Sequence, residues 1–235
     1  DRKDGSGRPL VTLLYLCAHR DDIDGWLDGI AMWGMAASLF VMVSGRANFF
    51  VLGGMWVCQR SLMSVGGPWY GYGWETQMAE LTFHSLFLVP FVSLSHGALA
   101  PPVPIIYLIR LHLFRIMMGA GLIKFRSGDP KWRFPQLSAM DNFYETQPVP
   151  NPLSRFWHRR GRTWHKLEVL TNHFVELVVP WGLVLPLGRQ VRVWAGRIQL
   201  LFQAVLIQSG NLSFLNWLTM VSRQKEYPIH CIITF

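Results

Sequence analysis

Charged side chains are scarce in this sequence. Only 15% of the residues are Asp, Glu, Lys or Arg, whereas an average soluble domain carries about a quarter. Apolar residues make up 51% of the chain and include 11 Trp and 15 Phe, which indicates a polytopic membrane protein. In a membrane protein, a formal net charge of +8 is explained by basic residues that face lipid headgroups and that set the orientation of the chain in the membrane. Because Lys and Arg punctuate apolar runs and do not cluster beside polar sequence, no nucleic-acid partner is predicted.

Several signatures of catalysis and cross-linking are also absent. The three cysteines, Cys17, Cys58 and Cys231, are far apart and form no C-x-x-C pair, so neither a disulfide framework nor a zinc site is predicted. The sequence contains no G-x-S-x-G, H-E-x-x-H, Walker or G-x-G-x-x-G motif, which excludes the enzyme classes built on them. No cofactor is predicted. The chain starts with neither an initiator Met nor a signal peptide, so we expect a fragment of a longer protein.

Apolar segments of helical length predict an all-α fold, a transmembrane helical bundle with five or six spans. About 20 apolar residues are needed to cross a bilayer. The predicted spans are about 27–44, 48–65, 74–94, 104–124, 164–185 and 193–221. Pro180 should kink the fifth span, and Ser209-Gly210-Asn211 should interrupt the sixth. The predicted regions are a polar N-terminal segment (1–25), a transmembrane domain (26–221) and an atypical tail (222–235).

The fourth predicted span carries charge on two sides. At 100° per residue, one arc holds Arg110, Met117, Gly121 and Lys124, and the opposite side holds His112, Arg115 and Gly119. We therefore expect protein or a hydrated cavity around this helix, and close approach of a neighbour at Gly119-Ala120-Gly121.

The fifth predicted span carries a polar stripe of His165, Glu168, Asn172 and Glu176 at i, i+3, i+4 spacing. An unpaired intramembrane charge is costly. We therefore predict that Lys124 or Arg110 pairs with Glu168 or Glu176. The repeated H-x-x-E pattern leaves metal binding open, but di-metal bundles use E-x-x-H on two separate helices. Here the two pairs lie about 12 Å apart along one helix, so ion pairing is favoured.

The segment between the fourth and fifth spans is unusually polar. Pro148, Pro150 and Pro152 favour extended backbone, and we expect an ordered extended arm over residues 144–152 that packs on the bundle. The ring of Tyr144 should be buried with its hydroxyl bonded. We expect Arg133, Arg155 or a helix N-terminus to hold Glu145.

The same segment is rich in basic residues between 131 and 166. These are Arg133, Arg155, Arg159, Arg160, Arg162 and Lys166. Two uses fit them, contact with lipid headgroups or a docking surface for another protein. With six spans, the positive-inside rule would make the segment cytosolic, and the sequence leaves its side of the membrane open.

Five pieces of this sequence carry a family resemblance. They are GYGWETQMAELTF (71–83), FRIMMGAGLIKFRSGDPKWR (114–133), MDNFYETQPVPNPLS (140–154), NHFVELVVPW (172–181) and LLFQAVLIQSGNLSFLNWLTMV (200–221). In order and spacing they resemble the lipase maturation factor family, with a motif-bearing core at 71–221 that includes loop 125–163. The resemblance implies a multi-pass protein of the endoplasmic reticulum membrane that assists folding, assembly and secretion of lipases, and is not an enzyme.

The resemblance also implies partners and site residues. The partners would be membrane lipids and client lipases, and the family's large soluble C-terminal part is expected to be missing from this chain. The candidate binding and structural residues are Glu75, Glu80, Arg115, Lys124, Asp141, Tyr144, Glu145, Gln147, Asn151, Glu176 and Asn211. None is assigned as catalytic or as a metal ligand. For Glu75, its place in a first helical turn also suits the helix dipole.

A second function class stays open at this point. GAGLIK followed by Trp132 is distantly similar to a helix end of vitamin K-dependent carboxylases, where a lysine acts as base. A desolvated Lys124 could serve a membrane enzyme acting on a lipid or quinone-like substrate. A deep cavity at Lys124 would favour the enzyme, and a paired core would favour the lipase-maturation function.

Overall fold

The computed structural model describes residues 12–16, 22–94, 102–147, 151–212 and 214–220. All regular secondary structure within these residues is helical, which confirms the predicted all-α class. The α-helices are α1 (Ile23–Ser44), α2 (Phe49–Val65), α3 (Gly73–Ser85), α4 (Val103–Arg126), α5 (Ala139–Phe143), α6 (Ser154–His158), α7 (Arg162–His173), α8 (Trp181–Val184), α9 (Arg189–Ser209) and α10 (Leu215–Met220). Short 3₁₀ helices cover Leu13–Leu16, Gly67–Tyr70, Leu86–Leu88 and Pro130–Trp132.

The chain forms two compact units, Asp1–Ile105 and Ile106–Phe235. The predicted tail at 222–235 lies outside the described residues, and the boundary at residue 26 stays a prediction. In the first unit, Leu14, Ile30 and Cys58 form a buried apolar cluster.

The hairpin of α1 and α2 follows from local sequence signals. Gly45 ends α1 with φ 64°, and its N–H donates to the Val41 carbonyl. Glycine adopts this left-handed conformation without a Cβ clash. Three residues later the Asn48 side chain accepts from Val51 N–H at 2.9 Å, which caps the start of α2.

Three stretches among the described helices are long and apolar enough to cross a membrane. They are Ile23–Ser44, Val103–Arg126 and Arg162–Val184. Only 6% of the apolar window of α1 is buried, so its surface suits lipid and not water. These helices confirm a helical membrane bundle, while α2 is a shorter apolar helix of 17 residues.

The prediction of a third span at 74–94 was wrong in its length. Helix α3 has 13 residues, about 20 Å of helix, and this is too short for a hydrocarbon core of about 30 Å. The 3₁₀ turn Leu86–Leu88 follows, and Val89 is extended with φ −110° and ψ 157°. Pro90 explains the break, because proline disfavours helical backbone at the residue before it.

In the second unit, α7 continues through a π-helical turn (Phe174–Val178) to α8, and α9 follows. The predicted interruption near Gly210 is confirmed, because α9 ends at Ser209 and α10 begins at Leu215. The connection from α4 to α7 (residues 127–161) has a core of its own. Its buried members are Leu137, Ala139, Met140 and Tyr144, and they pack with Val169 of α7.

Candidate functional site

A partly buried ion pair joins α4 to the π turn. The Lys124 ammonium nitrogen lies 2.5 Å from both carboxylate oxygens of Glu176, and Asn172 Nδ2 donates to Glu176 Oε2 at 2.9 Å. The Trp132 ring lies over the ammonium at 5.0 Å, at a distance that suits a cation–π contact. The predicted cross-helix pair is therefore confirmed for Lys124 with Glu176.

Gly121 makes this approach possible. A Cβ at this position would lie 2.5 Å from Leu177 Cδ2 and 3.1 Å from Glu176 Cβ. The prediction of close packing thus holds at Gly121 but not at Gly119, where a Cβ would meet nothing within 4 Å.

On the second side of α4, His112 is buried, whereas Arg115 and Gly119 are exposed. That protein or a hydrated cavity surrounds both sides of this helix stays a prediction.

The π turn leaves a carbonyl that a third helix satisfies. Val179 N–H donates to the Phe174 carbonyl, five residues back, at 3.1 Å. In the same pattern the next donor would serve the Val175 carbonyl, but that residue is Pro180, which has no N–H. Gln199 of α9 donates its side-chain amide to the Val175 carbonyl at 2.9 Å. The glutamine therefore replaces the hydrogen bond that Pro180 cannot make. The helix is interrupted at Pro180, and the predicted kink there stays a prediction.

Two polar contacts attach α5 to α7. His165 Nδ1 lies 2.7 Å from Asp141 Oδ1, and its Nε2 lies 3.4 Å from the Trp157 carbonyl. The Tyr144 side chain lies near the Glu168 carboxylate and interacts with it electrostatically. Burial, and then the nearby Glu168 carboxylate, raise the pKa of Tyr144 well above its usual range, so this tyrosine stays a neutral donor. The predicted burial of Tyr144 is confirmed, and the partner of its hydroxyl stays a prediction.

The members of the H-x-x-E repeat therefore go to different partners. Glu168 also accepts from Trp164 Nε1 at 2.9 Å, and His173 Nε2 lies 2.8 Å from the Trp132 carbonyl. Across the described ranges, no group of three His, Cys, Asp or Glu is arranged to hold a metal ion.

The partner predicted for Glu145 was wrong. Glu145 Oε1 lies 3.0 Å from His158 Nε2, and neither Arg133 nor Arg155 holds it. Arg133 instead donates to the Phe125 carbonyl at 2.5 Å. The reason is geometric, because α6 turns His158 towards Glu145 while Arg155 points outward and is exposed.

The arm at 144–152 is attached at both described ends. Gln147 Oε1 accepts from Asn211 N–H at 3.1 Å. Asn151 Nδ2 donates to the carbonyls of Ile207 at 2.8 Å and Gly210 at 3.3 Å. These contacts use the carbonyls at the C-terminal end of α9, which have no partner within the helix. Residues 148–150 lie outside the described residues.

The arm is not extended from its start. Tyr144 has helical φ −71° and ψ −22°, and Glu145 and Thr146 N–H both donate to the Asn142 carbonyl. The effect of the prolines begins after this turn, because proline restricts its own φ and the residue before it only.

Two other candidate residues, Glu75 and Glu80, come earlier in the chain and belong to α3. Glu75 is in the first turn of α3, where its carbonyl accepts weakly from Gln59 Nε2 at 3.4 Å, and its carboxylate interacts with Trp74. Glu80 is half-buried in the same helix.

The family model described as "Lipase maturation factor transmembrane domain" matches residues 4–225. The chain belongs to the lipase maturation factor family. It is 49% identical to lipase maturation factor 1 of Bos taurus over 215 residues, which cover 91% of this chain and 37% of that protein. It is 48% identical to lipase maturation factor 1 of Homo sapiens over 214 residues, covering 90% and 37%.

More distant members of the lipase maturation factor family match as well. Lipase maturation factor 2 of Xenopus tropicalis is 30% identical over 199 residues, which cover 81% of this chain and 27% of that protein. The chain thus spans about a third of the length of the curated relatives it matches. No solved structure matches the chain.

Within this lipase maturation factor domain, the second unit brings most of the predicted residues together. It holds Lys124, Asp141, Tyr144, Glu145, Gln147, Asn151, Glu176 and Asn211, all in contacts between different elements. Their functional roles stay predictions. Three members of the network were not among the predicted site residues, namely His158, Gln199 and Ser154, whose hydroxyl reaches the Ser209 carbonyl at 3.5 Å. For Gln199 a signal existed, because a proline in a span always leaves one carbonyl without its helical donor.

Proposed function

We propose that this chain is the membrane-embedded part of a multi-pass protein of the endoplasmic reticulum that assists folding, assembly and secretion of lipases. The observation that carries the proposal is the match to lipase maturation factor 1 across about nine-tenths of the chain. Client lipases and membrane lipids are its partners, and it acts as a chaperone-like factor and not as a catalyst.

The geometry supports a surface of fixed shape. The α4–α7 connection is attached to α7 through Asp141 and Tyr144, and to the end of α9 through Gln147 and Asn151. A loop attached at several points loses little further conformational entropy when a client binds. Such a loop can hold a partly folded lipase without itself refolding.

The pairing of Lys124 argues against the alternative of a membrane enzyme. A general base must offer a free amine, whereas this ammonium contacts both oxygens of Glu176 beneath the Trp132 ring. The pair stabilises the contact between α4 and the π turn, which is a structural role.

A double-mutant cycle separates the two functions. Lys124→Met leaves the Glu176 carboxylate buried without its cation, at a cost of about 3–5 kcal/mol. Adding Glu176→Gln removes the charge but keeps an acceptor for Asn172. We expect the single variant to lose thermal stability in detergent and secretion of a co-expressed lipase, in cells that lack their own lipase maturation factors. The double variant should regain much of both, since replacing a whole buried pair by neutral groups costs little.

The outcomes are distinct. Recovered stability with lipase secretion still absent would mean that the amine itself is needed, and would favour the enzyme. Normal secretion by the single variant would contradict the structural role. Lys124→Arg is the matched control, because it keeps the positive charge and is a poor base.

A further inference from the structure

A basic and aromatic face covers the outside of α6 and the start of α7. Between residues 151 and 167 the sequence has five Lys or Arg and no Asp or Glu. The exposed residues that form this basic face are Arg155, Phe156, Arg159, Arg160, Arg162 and Trp164. Phe156 is 52% and Trp164 44% exposed, so both aromatic rings are part of this surface.

The orientation of this face is fixed by what lies behind it. Ser154 is buried and its hydroxyl reaches the Ser209 carbonyl of α9. His158 Nε2 contacts the Glu145 carboxylate, whose side chain is 63% exposed, whereas His165 is turned inward to Asp141. The arginines of the basic face are exposed.

The cations and the aromatic rings of the face are arranged together. The Arg160 guanidinium carbon lies 4.2 Å from the Phe156 ring centre and 5.6 Å from that of Trp164. Glu168 attracts Arg160 and offsets part of its charge. Arg155 and Arg159, one turn apart, are the exposed cations on α6 and at its end.

The depth of the face in the membrane follows from the helix that continues it. The stretch Arg162–Val184 is long and apolar enough to cross a bilayer, so its first turn and the residues before it lie at headgroup level. Arg, Lys and Trp are the residues enriched at that level. A bilayer always presents phosphate groups at this level, whereas an acidic protein segment would first have to bind there.

We propose that this basic face binds the headgroups of anionic phospholipids, with Arg155 and Arg159 contacting phosphate and the aromatic rings lying among the upper acyl carbons. This surface would hold the α4–α7 connection against the membrane, and the inference is independent of lipase binding.

The test counts lipids bound to the purified full chain in a neutral detergent by native mass spectrometry. Phosphatidylserine and phosphatidylcholine with identical acyl chains are titrated in parallel. Because each basic residue near an anionic surface contributes about fivefold in affinity, Arg155→Gln with Arg159→Gln should weaken phosphatidylserine binding about 25-fold. The matched control, Arg189→Gln with Arg197→Gln, removes the same charge from exposed positions of α9 and should change the affinity less than about threefold.

Two competition experiments identify which molecule supplies the anion. Inorganic phosphate and an acidic decapeptide of glutamate are added as competitors at the lipid concentration. Loss of phosphatidylserine selectivity in the first double variant alone supports the proposal. It is overturned if phosphatidylcholine binds equally well, or if both double variants lose affinity alike. Displacement of the lipid by free phosphate would overturn it as well, and displacement by the peptide would reassign the face to an acidic protein. Circular dichroism of both variants verifies that the helices are retained.

Discussion

At the scale of single residues, the second unit is stabilised by charged side chains that are paired and hydrogen-bonded. The Glu176 carboxylate is 4% exposed, and a charge so far from water is tolerated only when paired and hydrogen-bonded. Lys124 and Asn172 supply these contacts. The sequence predicted the pair because two charged stripes on successive apolar helices have few other ways to avoid lipid.

Gly121 and Gly119 offer a matched pair of substitutions on one helix. Replacing either glycine by alanine favours the helix by the same amount through helix propensity, about 1 kcal/mol. Only Gly121→Ala places a methyl group 2.5 Å from Leu177 Cδ2, and such overpacking costs about 1–3 kcal/mol. We therefore expect Gly121→Ala to melt lower in detergent than Gly119→Ala. Equal melting temperatures would mean that Leu177 moves aside without cost.

At the scale of elements, the sequence predicted helix positions better than helix ends. The predicted fourth span, 104–124, differs from α4 by one residue at its start and two at its end. The third span failed because hydropathy continues past Pro90 while the backbone cannot continue the helix there. The π turn was not predicted, because Pro180 shows that a hydrogen bond is missing but not how the backbone before it rearranges. The partner of Glu145 failed for a similar reason, since the direction of α6 decides which side chain faces it.

Gln199 and Gln203, one turn apart on α9, allow a test of the replaced hydrogen bond. Gln199→Leu leaves the Val175 carbonyl buried without a donor, at a cost of about 1–3 kcal/mol. Among the described residues, Gln203 donates to the Met117 sulfur at 3.6 Å, a weak acceptor, so Gln203→Leu should cost less. Thermal unfolding in detergent should rank the two variants in this order. The reverse order would remove Gln199 from its role beside Pro180.

The arm after α5 should be held most strongly at Asn151. Asn151→Ala removes two bonds to the end of α9 and the bond from Leu153 N–H to Asn151 Oδ1. Amide hydrogen exchange across 153–158 should accelerate about 10- to 100-fold, the equivalent of about 1–3 kcal/mol. Asn142→Ala, at an exposed side chain, is the control. Unchanged exchange in both variants would mean that the arm is held elsewhere.

At the scale of the whole molecule, composition was enough for the class of protein but not for its topology. Scarce charge and abundant Trp and Phe predicted a helical membrane protein, and the family match agrees. Within the second unit, Asn151 reaches Gly210, so the α4–α7 connection and the end of α9 lie at the same end of the bundle. The segment joining α8 to α9 lies beyond the other end of the α7–α8 stretch.

Single cysteines should report this arrangement on sealed microsomes. In a background with Cys17, Cys58 and Cys231 changed to alanine, a cysteine replaces exposed Lys131 or exposed Leu187. We expect a membrane-impermeant maleimide to label one position in intact vesicles and the other only after permeabilisation, because the stretch between them crosses the bilayer. Labelling of both from one side would contradict this crossing. The experiment also reports whether the α4–α7 connection faces the lumen, where secreted lipases fold.

The hydrogen bond from Gln199 to the Val175 carbonyl also constrains biogenesis. When the stretch Arg162–Val184 enters the hydrocarbon core, it carries two groups that it cannot satisfy by itself, the Glu176 carboxylate and the Val175 carbonyl. Leaving either group unsatisfied in lipid costs free energy. Lys124 precedes it in the chain, whereas Gln199 is synthesised later. This segment is therefore not self-sufficient during insertion. It must wait beside the translocon or in a hydrated site until α9 emerges, so that the last helices of the domain enter the bilayer as a group.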